Sequence, residues 1–471
     1  MPLVKNQTIP LAIESLASDG NGVGHFDGQA VFVPGAAPGD TLTVQITKAL
    51  KTYAYGRVVR VDTPGPGRCA PDCPIAGPCG GCHFRHLTYA AECAAKAGFV
   101  RDAFRRLGGL DLPVADTLPA PCPGGYRNKV QLPVGRDQDG HLVAGFYAGR
   151  SHRIVPLPQA GCRLQPDWMN ALARRACALL EEAGVEPYDE ETHTGRLRHI
   201  YMRQGWHSGQ RLLCFVVNGN GLPGEAALCE ALQKEFDLTT ILINRNTART
   251  NVILGPKTRT VCGPGCIADT LAGVPITMGV HEFYQVNTPA AEALYAKARE
   301  FAGLRPGDFL LDLYCGMGTI GLSMLPDCRK LLGVEVVPQA VESAKATAAR
   351  LGLGADAADF LCMDAGQAAA HLAAEGAKPD VIVVDPPRKG CDAATLNAIV
   401  AMAPRTVVMV SCNAATAARD AQILSPHYRP AAVQPVDLFP RTKHCECIVK
   451  FERIGDDLSS FGCSKTRMEC E

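Results

Sequence analysis

A cysteine that follows a short valine-rich run is the residue whose position points most directly to chemistry. Cys412 comes after Thr406 to Val410, a run with the composition of a buried strand, and the alanine-rich segment beyond it has helical composition. Ligands of open α/β sheets collect at the carboxyl ends of the strands, so this thiol is predicted to lie at a ligand-binding edge. A thiolate there can act as a nucleophile. The alternative is a buried structural cysteine, the commonest fate of a free thiol.

A glycine-rich turn predicts a nucleotide-type ligand at the same edge. Gly316, Gly318 and Gly321 follow the run Leu311 to Leu313 and precede a helical segment, and glycines let the backbone approach a ligand at a helix N-terminus. Glu335 ends the next predicted strand, where a carboxylate accepts hydrogen bonds from ribose hydroxyls. The spacing also matches the dinucleotide fingerprint, so a nicotinamide-dependent oxidoreductase is a competing interpretation.

Asp385 together with Cys412 favours methyl transfer over hydride transfer. Asp385 ends the buried run Val381 to Val384, and Pro386 and Pro387 stiffen the chain after it so that the carboxylate faces the cleft. Hydride transfer needs no nucleophilic cysteine on the following strand, whereas methyl transfer to a poorly nucleophilic ring carbon does. Addition of a thiolate at carbon 6 of uracil makes carbon 5 nucleophilic, and a base must later remove the carbon 5 proton.

Glu446 and His444 are the two candidates for that base. Both lie between Arg441 and Cys447, at the start of the last predicted strand. If this strand runs antiparallel to its neighbours, it begins at the edge where they end, and Glu446 then faces Cys412. For either candidate the alternative is an exposed charge at a strand end.

Three cysteines in a loop rich in proline and glycine have the spacing of metal ligands. Cys73, Cys79 and Cys82 suit zinc or an iron–sulfur cluster, and Cys69 is a further thiol nearby. The fourth ligand must be distant in the sequence, and the candidates are Cys93, Cys122 and Cys162. Unliganded thiols in a loop are the alternative.

Length and composition predict a soluble chain of two or three domains. The chain has 471 residues, of which 47% are hydrophobic, with 47 basic residues, 47 acidic residues and 21 cysteines. The balanced charge gives no argument for nucleic acid, so a basic surface has to be local. No apolar run is long enough to span a membrane and no signal peptide is recognisable, so we expect a cytoplasmic protein with reduced thiols.

Residues 1–62 have the pattern of a small β-barrel, with short apolar runs separated by turn residues. Between Thr41 and Val61 there is no acidic residue, but there are basic residues and tyrosines: Lys48, Lys51, Tyr53, Tyr55, Arg57 and Arg60. Basic side chains among aromatic ones suit phosphates and stacked bases, and a solvated strand face explains them equally well.

The rest of the chain divides into a mixed region and a doubly wound sheet. Residues 63–280 have an α+β pattern, in which the alternation over Arg196 to Arg203 predicts a strand with one positive face. From 281 to 455 strands alternate with alanine-rich helices, which predicts a Rossmann-like sheet. Its strands are predicted at Phe309 to Leu313, Lys330 to Val336, Val381 to Val384, Thr406 to Val410 and Cys445 to Phe451. Residues 456–471 are polar and predicted to be disordered.

Five motifs occur in order along the second half of the chain. They are Phe283-Tyr-Gln-Val-Asn287, Leu311 to Leu322, Asp385-Pro-Pro-Arg-Lys-Gly390, Ser411-Cys-Asn413 and Thr442-Lys-His-Cys-Glu446. Together they resemble the bacterial RNA 5-methyluridine methyltransferases, in particular those that act on 23S ribosomal RNA. Residues 1–62 are similar to the RNA-binding TRAM barrel of these enzymes, so the resemblance covers nearly the whole chain. It implies an S-adenosylmethionine-dependent enzyme, which we expect to be a monomer, with transfer RNA as the alternative substrate.

The resemblance also assigns roles to individual residues. It implies that Cys412 is the nucleophile and Glu446 the proton-abstracting base, which argues against a catalytically idle RNA-binding protein. The residues placed where the family contacts S-adenosylmethionine are Gln285, Tyr314, Thr319, Glu335, Asp364 and Asp385. Thr319 departs from the asparagine or glycine that is usual there. Similar family members hold a [4Fe-4S] cluster with three close cysteines and one distant, which implies Cys73, Cys79, Cys82 and Cys162.

Overall fold

A computed structural model describes residues 3–149 and 151–455 of the chain. Within these ranges the strands form a six-stranded sheet, two seven-stranded sheets and a two-stranded hairpin. No helix in the same ranges is long and apolar enough to cross a membrane. The predicted disordered tail, residues 456–471, lies outside the described residues.

The N-terminal sheet consists of strands in which buried residues alternate with exposed ones. The strands are β1 (Thr8–Ala12), β2 (Ser15–Leu16), β3 (Gly22–Phe26), β4 (Gln29–Val33), β5 (Thr41–Ala49) and β6 (Tyr53–Thr63). They pair in the order β1-β5-β6-β4-β3-β2. Leu42, Val44 and Ile46 of β5 are fully buried, which is the alternation that a strand with one covered face requires. This confirms the predicted N-terminal β module.

The loop with the clustered cysteines, which we term the cysteine loop (residues 73–82), leads into α1 (Tyr89–Arg106). Thr88 begins this helix because its side chain accepts a hydrogen bond from the amide of Ala91. Val100 and Phe104 of α1 are buried in the core of the C-terminal sheet. The helix therefore ties the cysteine loop to that sheet.

The middle of the chain forms a mixed sheet covered by helices. Its elements are β7 (Lys129–Arg136), β8 (Leu142–Tyr147), β9 (Ile154–Pro156), α2 (Asp167–Glu182), β10 (Leu197–Gln204), β11 (Arg211–Val217), α3 (Glu225–Phe236), β12 (Thr240–Arg245) and β13 (Lys257–Cys262). The strand order is β13-β12-β11-β10-β7-β8-β9. A separate hairpin follows, made of β14 (Ile267–Leu271) and β15 (Val274–Met278).

The positive strand face predicted for Arg196 to Arg203 is wrong, although the strand itself is confirmed. Arg198 and Arg203 are buried in β10 at 3% and 1% exposure. Arg203 donates to the carbonyl of Gly279 at 2.7 Å, and Arg198 to that of Ala248 at 2.7 Å. A guanidinium group that finds carbonyl acceptors in the fold can be buried, and alternation along a sequence does not show such acceptors.

The C-terminal part is a doubly wound sheet, as predicted. Its elements are α4 (Thr288–Ala302), β16 (Phe309–Leu313), α5 (Thr319–Met324), a 3₁₀ turn (Leu325–Asp327), β17 (Lys330–Glu335), α6 (Pro338–Arg350), β18 (Ala358–Cys362), α7 (Ala365–Ala374), β19 (Val381–Val384), α8 (Ala393–Met402), β20 (Thr406–Ser411), α9 (Ala414–Leu424), β21 (Tyr428–Val436) and β22 (Glu446–Arg453). The order is β18-β17-β16-β19-β20-β22-β21, and β16 to β20 are parallel. We term the edge formed by the ends of these parallel strands the carboxyl edge.

Two strands of this sheet, β18 and β21, were not predicted, and both lie at its outer edges. Pro430 and Pro435 interrupt β21 because proline cannot donate to a strand ladder, and an edge strand tolerates them. In β18 only two of five residues are buried, so its apolar signal is weak. Sequence periodicity is strongest in central strands that are covered on both faces.

The core of the C-terminal sheet also includes side chains that precede residue 281. Ile276 and Met278 of the hairpin pack in the same cluster as Leu294 of α4. Val114 and Leu118 form parallel bridges to β21. The domain boundaries at residues 62, 280 and 455 remain predictions.

Candidate active site

Cys412 and Glu446 occupy corresponding positions where β20 and β22 meet at the carboxyl edge. The two strands are antiparallel, and the last pair of their ladder joins Ser411 and Cys447. The next residue outward is Cys412 on one strand and Glu446 on the other, so the predicted antiparallel arrangement is confirmed. Cys412 is partly exposed, whereas Glu446 is only 6% exposed.

Burial and neighbouring carboxylates disfavour the charged forms of these groups. Burial raises the pKa of Glu446 to about 8, with a further contribution from Asp385 and an opposing one from Arg388. Burial also raises the pKa of the Cys412 thiol, as do Glu446 and Asp385. The pKa of Asp385 itself is raised to about 7 by burial. A carboxyl group with a pKa near 8 suits general base catalysis near neutral pH.

Glu335 is held at the end of β17 by backbone amides. Its carboxylate accepts hydrogen bonds from the amides of Gly316 at 3.1 Å and Val337 at 2.9 Å. Gly318 begins α5 with a φ of 75°, and a Cβ atom at this position would lie 2.7 Å from the ring of Phe360. Glycine is therefore required here both for its backbone angle and for space.

Asp312 is a candidate site residue that sequence analysis missed. It is fully buried in β16, and one carboxylate oxygen accepts a hydrogen bond from the amide of Gly321 at 2.9 Å. The other oxygen has no hydrogen-bond partner among the residues that the structure describes. Burial and the carboxylates of Asp385 and Glu335 raise the pKa of Asp312 to about 8. The available signal was an acidic residue inside the apolar run of β16, because such a residue needs a partner.

Tyr314 and Thr319 stand on either side of the glycine turn. Tyr314 follows β16 with a φ of 65°, and its hydroxyl lies 3.1 Å from that of Thr395. Thr319 is buried at the start of α5, and its hydroxyl lies 2.9 Å from that of Tyr295. The hydroxyl of Thr319 is thus engaged within the protein, and its role as a donor contact remains a prediction.

Gln285 and Asp364 are the remaining predicted donor contacts. Asp364 is exposed after β18 and begins α7, where its side chain accepts hydrogen bonds from the amides of Gly366 and Gln367. Gln285 is partly exposed in the segment before α4, and its carbonyl accepts a hydrogen bond from Asn128 at 2.8 Å. The structure therefore places Tyr314, Glu335, Asp364 and Asp385 at the ends of four parallel strands. Gln285 lies outside the sheet.

The four predicted thiolate ligands lie close enough to influence one another. Burial raises the pKa of Cys79, and the thiols of Cys82 and Cys73 raise it further. Burial raises the pKa of Cys162 as well, with contributions from Cys82 and Cys79. The positive charge of Arg127 opposes both shifts. In the described part of the chain no three Cys, His, Asp or Glu side chains are arranged to hold a metal ion.

An aromatic cluster on the N-terminal sheet lies among exposed basic residues. The rings of Phe32, Tyr53 and Tyr55 have centroids 5.7 to 5.8 Å apart, and all three are partly exposed. Lys51 and Arg57 are exposed at either end of this part of the sheet. Aromatic rings beside cations suit a single-stranded nucleic acid, because bases stack on the rings and phosphates pair with the cations.

The sequence matches two known families and several full-length relatives. Residues 2–59 match the TRAM domain, and residues 370–454 match the tRNA (Uracil-5-)-methyltransferase family. Uncharacterised RNA methyltransferases of Halalkalibacterium halodurans and Bacillus cereus are each 39% identical to this chain. Each alignment covers 96% of this chain and 98% of the relative. The chain therefore belongs to the S-adenosylmethionine-dependent RNA uracil-5-methyltransferase family.

A solved structure shows the same fold over nearly the whole chain. The tRNA (uracil-54, C5)-methyltransferase of Pyrococcus abyssi, in complex with S-adenosyl-L-homocysteine, has a TM-score of 0.73 and 24% sequence identity. The match covers 94% of this chain and 100% of that one. Family membership decides between the two interpretations of the glycine turn in favour of methyl transfer. It also identifies the protein as an enzyme that acts on RNA rather than an idle RNA-binding protein.

Proposed function

We propose that this enzyme forms 5-methyluridine in large-subunit ribosomal RNA through a covalent intermediate on Cys412. The supporting observation is that Cys412 and Glu446 come directly after the last pair of the β20–β22 ladder and are close enough for Glu446 to raise the pKa of the thiol. The same edge carries Glu335 and Asp385. A partly exposed thiol at that edge is accessible to a uracil only if the base leaves its stack. The enzyme therefore acts on an unstacked uridine.

The reaction begins and ends at the Cys412 thiolate. The thiolate adds to carbon 6 of uracil, and the electrons of the 5,6 double bond move to carbon 5 and on to the carbonyl oxygen of carbon 4, which forms an enolate. S-adenosylmethionine, when bound, supplies the methyl group to carbon 5. Glu446 then accepts the carbon 5 proton, the electron pair restores the double bond, and the carbon–sulfur bond breaks to release the thiolate. His444 is the second candidate base, and burial together with Arg388 and Lys443 lowers its pKa.

The carboxylates at the carboxyl edge fit a cationic methyl donor. Burial raises the pKa values of Asp312 and Asp385, and repulsion from neighbouring carboxylates adds to the shift of Asp312. A positive ligand would relieve this excess of negative charge. We assign the donor pocket to Gln285, Tyr314, Thr319, Glu335, Asp364 and Asp385.

Glu335→Ala is expected to weaken S-adenosylmethionine binding in calorimetry while RNA affinity stays unchanged. Equal loss of both affinities would contradict this assignment.

The aromatic cluster of Phe32, Tyr53 and Tyr55 is proposed as an RNA contact. Its partly exposed rings and the neighbouring cations support stacking on unpaired bases. Tyr55→Leu removes a ring and is expected to weaken RNA binding, whereas Tyr55→Phe keeps the ring and serves as the matched control. Equal RNA affinity of the two variants would contradict the contact.

Large-subunit ribosomal RNA is proposed as the substrate because the motifs, the TRAM barrel and the cysteine loop occur together in this chain. Transfer RNA is the second candidate, since the Pyrococcus abyssi enzyme acts on uracil 54 of tRNA.

Mapping 5-methyluridine in both RNAs of a deletion strain tests the choice between ribosomal and transfer RNA. We expect loss from 23S ribosomal RNA that the wild-type gene restores and Cys412→Ala does not. Loss from transfer RNA alone would contradict ribosomal RNA as the substrate.

The cytoplasmic location and monomeric state remain predictions.

We further propose that Cys73, Cys79, Cys82 and Cys162 hold one [4Fe-4S] cluster. The sequence spacing of the first three cysteines supports it, and so does the proximity by which Cys82 and Cys73 raise the pKa of Cys79, and Cys82 and Cys79 raise that of Cys162. The thiol of Cys69 instead donates to the carbonyl of Arg85 at 3.7 Å, so it is left out of the site. When bound, such a cluster would cross-link the cysteine loop to Cys162. Protein purified without oxygen should be brown with about four irons per chain, and colourless protein with stoichiometric zinc would contradict the assignment.

A further inference from the structure

The position of Glu446 depends on the segment that precedes it. Residues 437–445, which we term the base segment, connect β21 to β22, and Val436 pairs with Glu446 at the end of that ladder. The end of a strand opens more readily than its centre. A proton acceptor at such an end needs support from outside the ladder, because it must stay within hydrogen-bond reach of the proton it removes.

Four consecutive carbonyl groups of the base segment are held by donors from four other parts of the chain. The donors belong to the start of α4, to α1, to the residues before β7 and to the residue after the cysteine loop. The contacts are Asn287 Nδ2 to the carbonyl of Leu438 at 3.0 Å, Lys96 Nζ to Phe439 at 3.2 Å, the Tyr126 hydroxyl to Pro440 at 3.0 Å and the His83 amide to Arg441 at 2.7 Å. The whole first half of the segment is therefore fixed from outside.

A buried ionic group anchors the start of the base segment. Lys96 Nζ lies 2.8 Å from Glu92 Oε1 and 2.6 Å from Asp437 Oδ1, and all three side chains are fully buried. With the carbonyl of Phe439, these contacts occupy all three donors of the ammonium group. Burying charges is costly, and apolar side chains often stabilise a core equally well. What the ionic group adds is a fixed direction for Asp437 and the chain that follows it.

Arg441 is held on both sides of its backbone. Its amide donates to Glu92 Oε1 at 2.6 Å, and its carbonyl accepts from the amides of His83 and Phe84. Its φ of 68° lies in the left-handed region, which is strained for a residue other than glycine. Such a conformation persists only where the surroundings fix it, and it sets the direction in which the chain enters β22.

We propose that Tyr126 and Lys96 are positioning residues for the elimination step, because they fix the base segment so that Glu446 stays opposite Cys412. The inference rests on the proposed function, in which Glu446 is the base. The residue that follows the cysteine loop takes part as well, since the amide of His83, next to Cys82, completes the set of contacts. A displacement of the base by about 1 Å is expected to slow elimination on the order of 100-fold.

Tyr126→Phe is the primary test, because Lys96→Met leaves two buried carboxylates without their cation and threatens folding itself. Tyr428→Phe is the matched control. The Tyr428 hydroxyl donates to the carbonyl of Pro404 at 3.0 Å, and Tyr126 and Tyr428 are both at most 1% exposed. Each variant loses one buried bond from a phenol to a prolyl carbonyl, but only Tyr126 contacts the base segment. Melting temperature, turnover and the protein–RNA adduct on denaturing gels are measured for both, with Glu446→Gln alongside.

We expect similar losses of melting temperature in the two tyrosine variants. Only Tyr126→Phe should turn over more slowly, by roughly 10- to 100-fold, and accumulate a methylated adduct as Glu446→Gln does. If Glu446→Gln forms the adduct and Tyr126→Phe does not, the positioning role of Tyr126 is wrong, and Glu446 remains the proposed base. No adduct with Glu446→Gln overturns the proposed base and this inference with it. Equal slowing of Tyr126→Phe and Tyr428→Phe, without adduct, assigns Tyr126 a purely structural role.

Discussion

At the level of single residues, the ionisation of Glu446 decides when it could act as the proposed base. Burial and the charge of Asp385 raise its pKa to about 8, so near neutral pH most of this carboxyl group is protonated in the free enzyme. A protonated carboxyl cannot accept the carbon 5 proton. Burial together with Glu446 and Asp385 raises the pKa of Cys412, so a cation at the carboxyl edge would favour the charged forms of both proposed catalytic groups.

This predicts that elimination accelerates with rising pH. The decay of the methylated adduct in single-turnover experiments should increase through a midpoint near pH 8, because deprotonated Glu446 is the active form. Glu446→Gln should show slow decay without this midpoint. The binding of S-adenosylmethionine, measured over the same range, controls for loss of the donor. Adduct decay in the wild type that is independent of pH would contradict the role of Glu446.

At the scale of elements, the turn between β16 and α5 depends on glycine for two reasons. Gly318 has a φ of 75° and packs against Phe360. Gly352, in the turn after α6, has a φ of 72°, but a Cβ atom added there would meet no atom within 4 Å. A comparison of Gly318 with Gly352 therefore separates the cost of the left-handed backbone angle from the cost of a steric clash at the added Cβ atom.

Gly318→Ala should therefore destabilise the protein more than Gly352→Ala. Both substitutions incur about 1–2 kcal/mol for the left-handed backbone. Gly318→Ala adds about 1–3 kcal/mol from the clash with the Phe360 ring, and it should also weaken donor binding. Chemical denaturation and calorimetry measure the two effects. Equal free energies of unfolding for the two variants would show that the close approach to Phe360 carries no cost.

Some elements of the C-terminal sheet can be predicted from the sequence, and others cannot. The runs at Phe309–Leu313 and Val381–Val384 are strands over those residues, because strands covered on both faces have continuous apolar sequences. The position of Cys412 and Glu446 followed from the strand direction alone. The edge strand β21 contains prolines and forms bridges to Val114 and Leu118, which lie far along the chain. The pKa of the buried Asp312 carboxyl depends on Glu335 and on the distant Asp385. Periodicity carries no information about such partners.

At the scale of the whole molecule, segments far apart in the sequence converge on one site. The glycine turn and the strand ends of the C-terminal sheet form the carboxyl edge. The base segment is held by the start of α4, by α1, by the residues before β7 and by His83 after the cysteine loop. The N-terminal sheet adds an aromatic surface that suits RNA. This arrangement explains why the sequence resemblance extends over nearly the whole chain and not only over the sheet that holds the donor.

Cys412 is proposed to form a covalent bond to the target uracil, and Glu446 is proposed to remove the carbon 5 proton afterwards. Glu446→Gln retains the nucleophile and the donor pocket but lacks the base, so it should complete addition and methyl transfer and then stop. Cys412→Ala is the control, because without the thiol neither methyl transfer nor any adduct should occur.

The most direct measurement is denaturing electrophoresis of Glu446→Gln incubated with substrate RNA and methyl-labelled S-adenosylmethionine. We predict a protein–RNA band that carries the methyl label, is stable to denaturation and disappears in the double variant with Cys412→Ala. Turnover of Glu446→Gln at the wild-type rate, with no labelled band, would contradict the role of Glu446 as the base and make His444 the leading candidate.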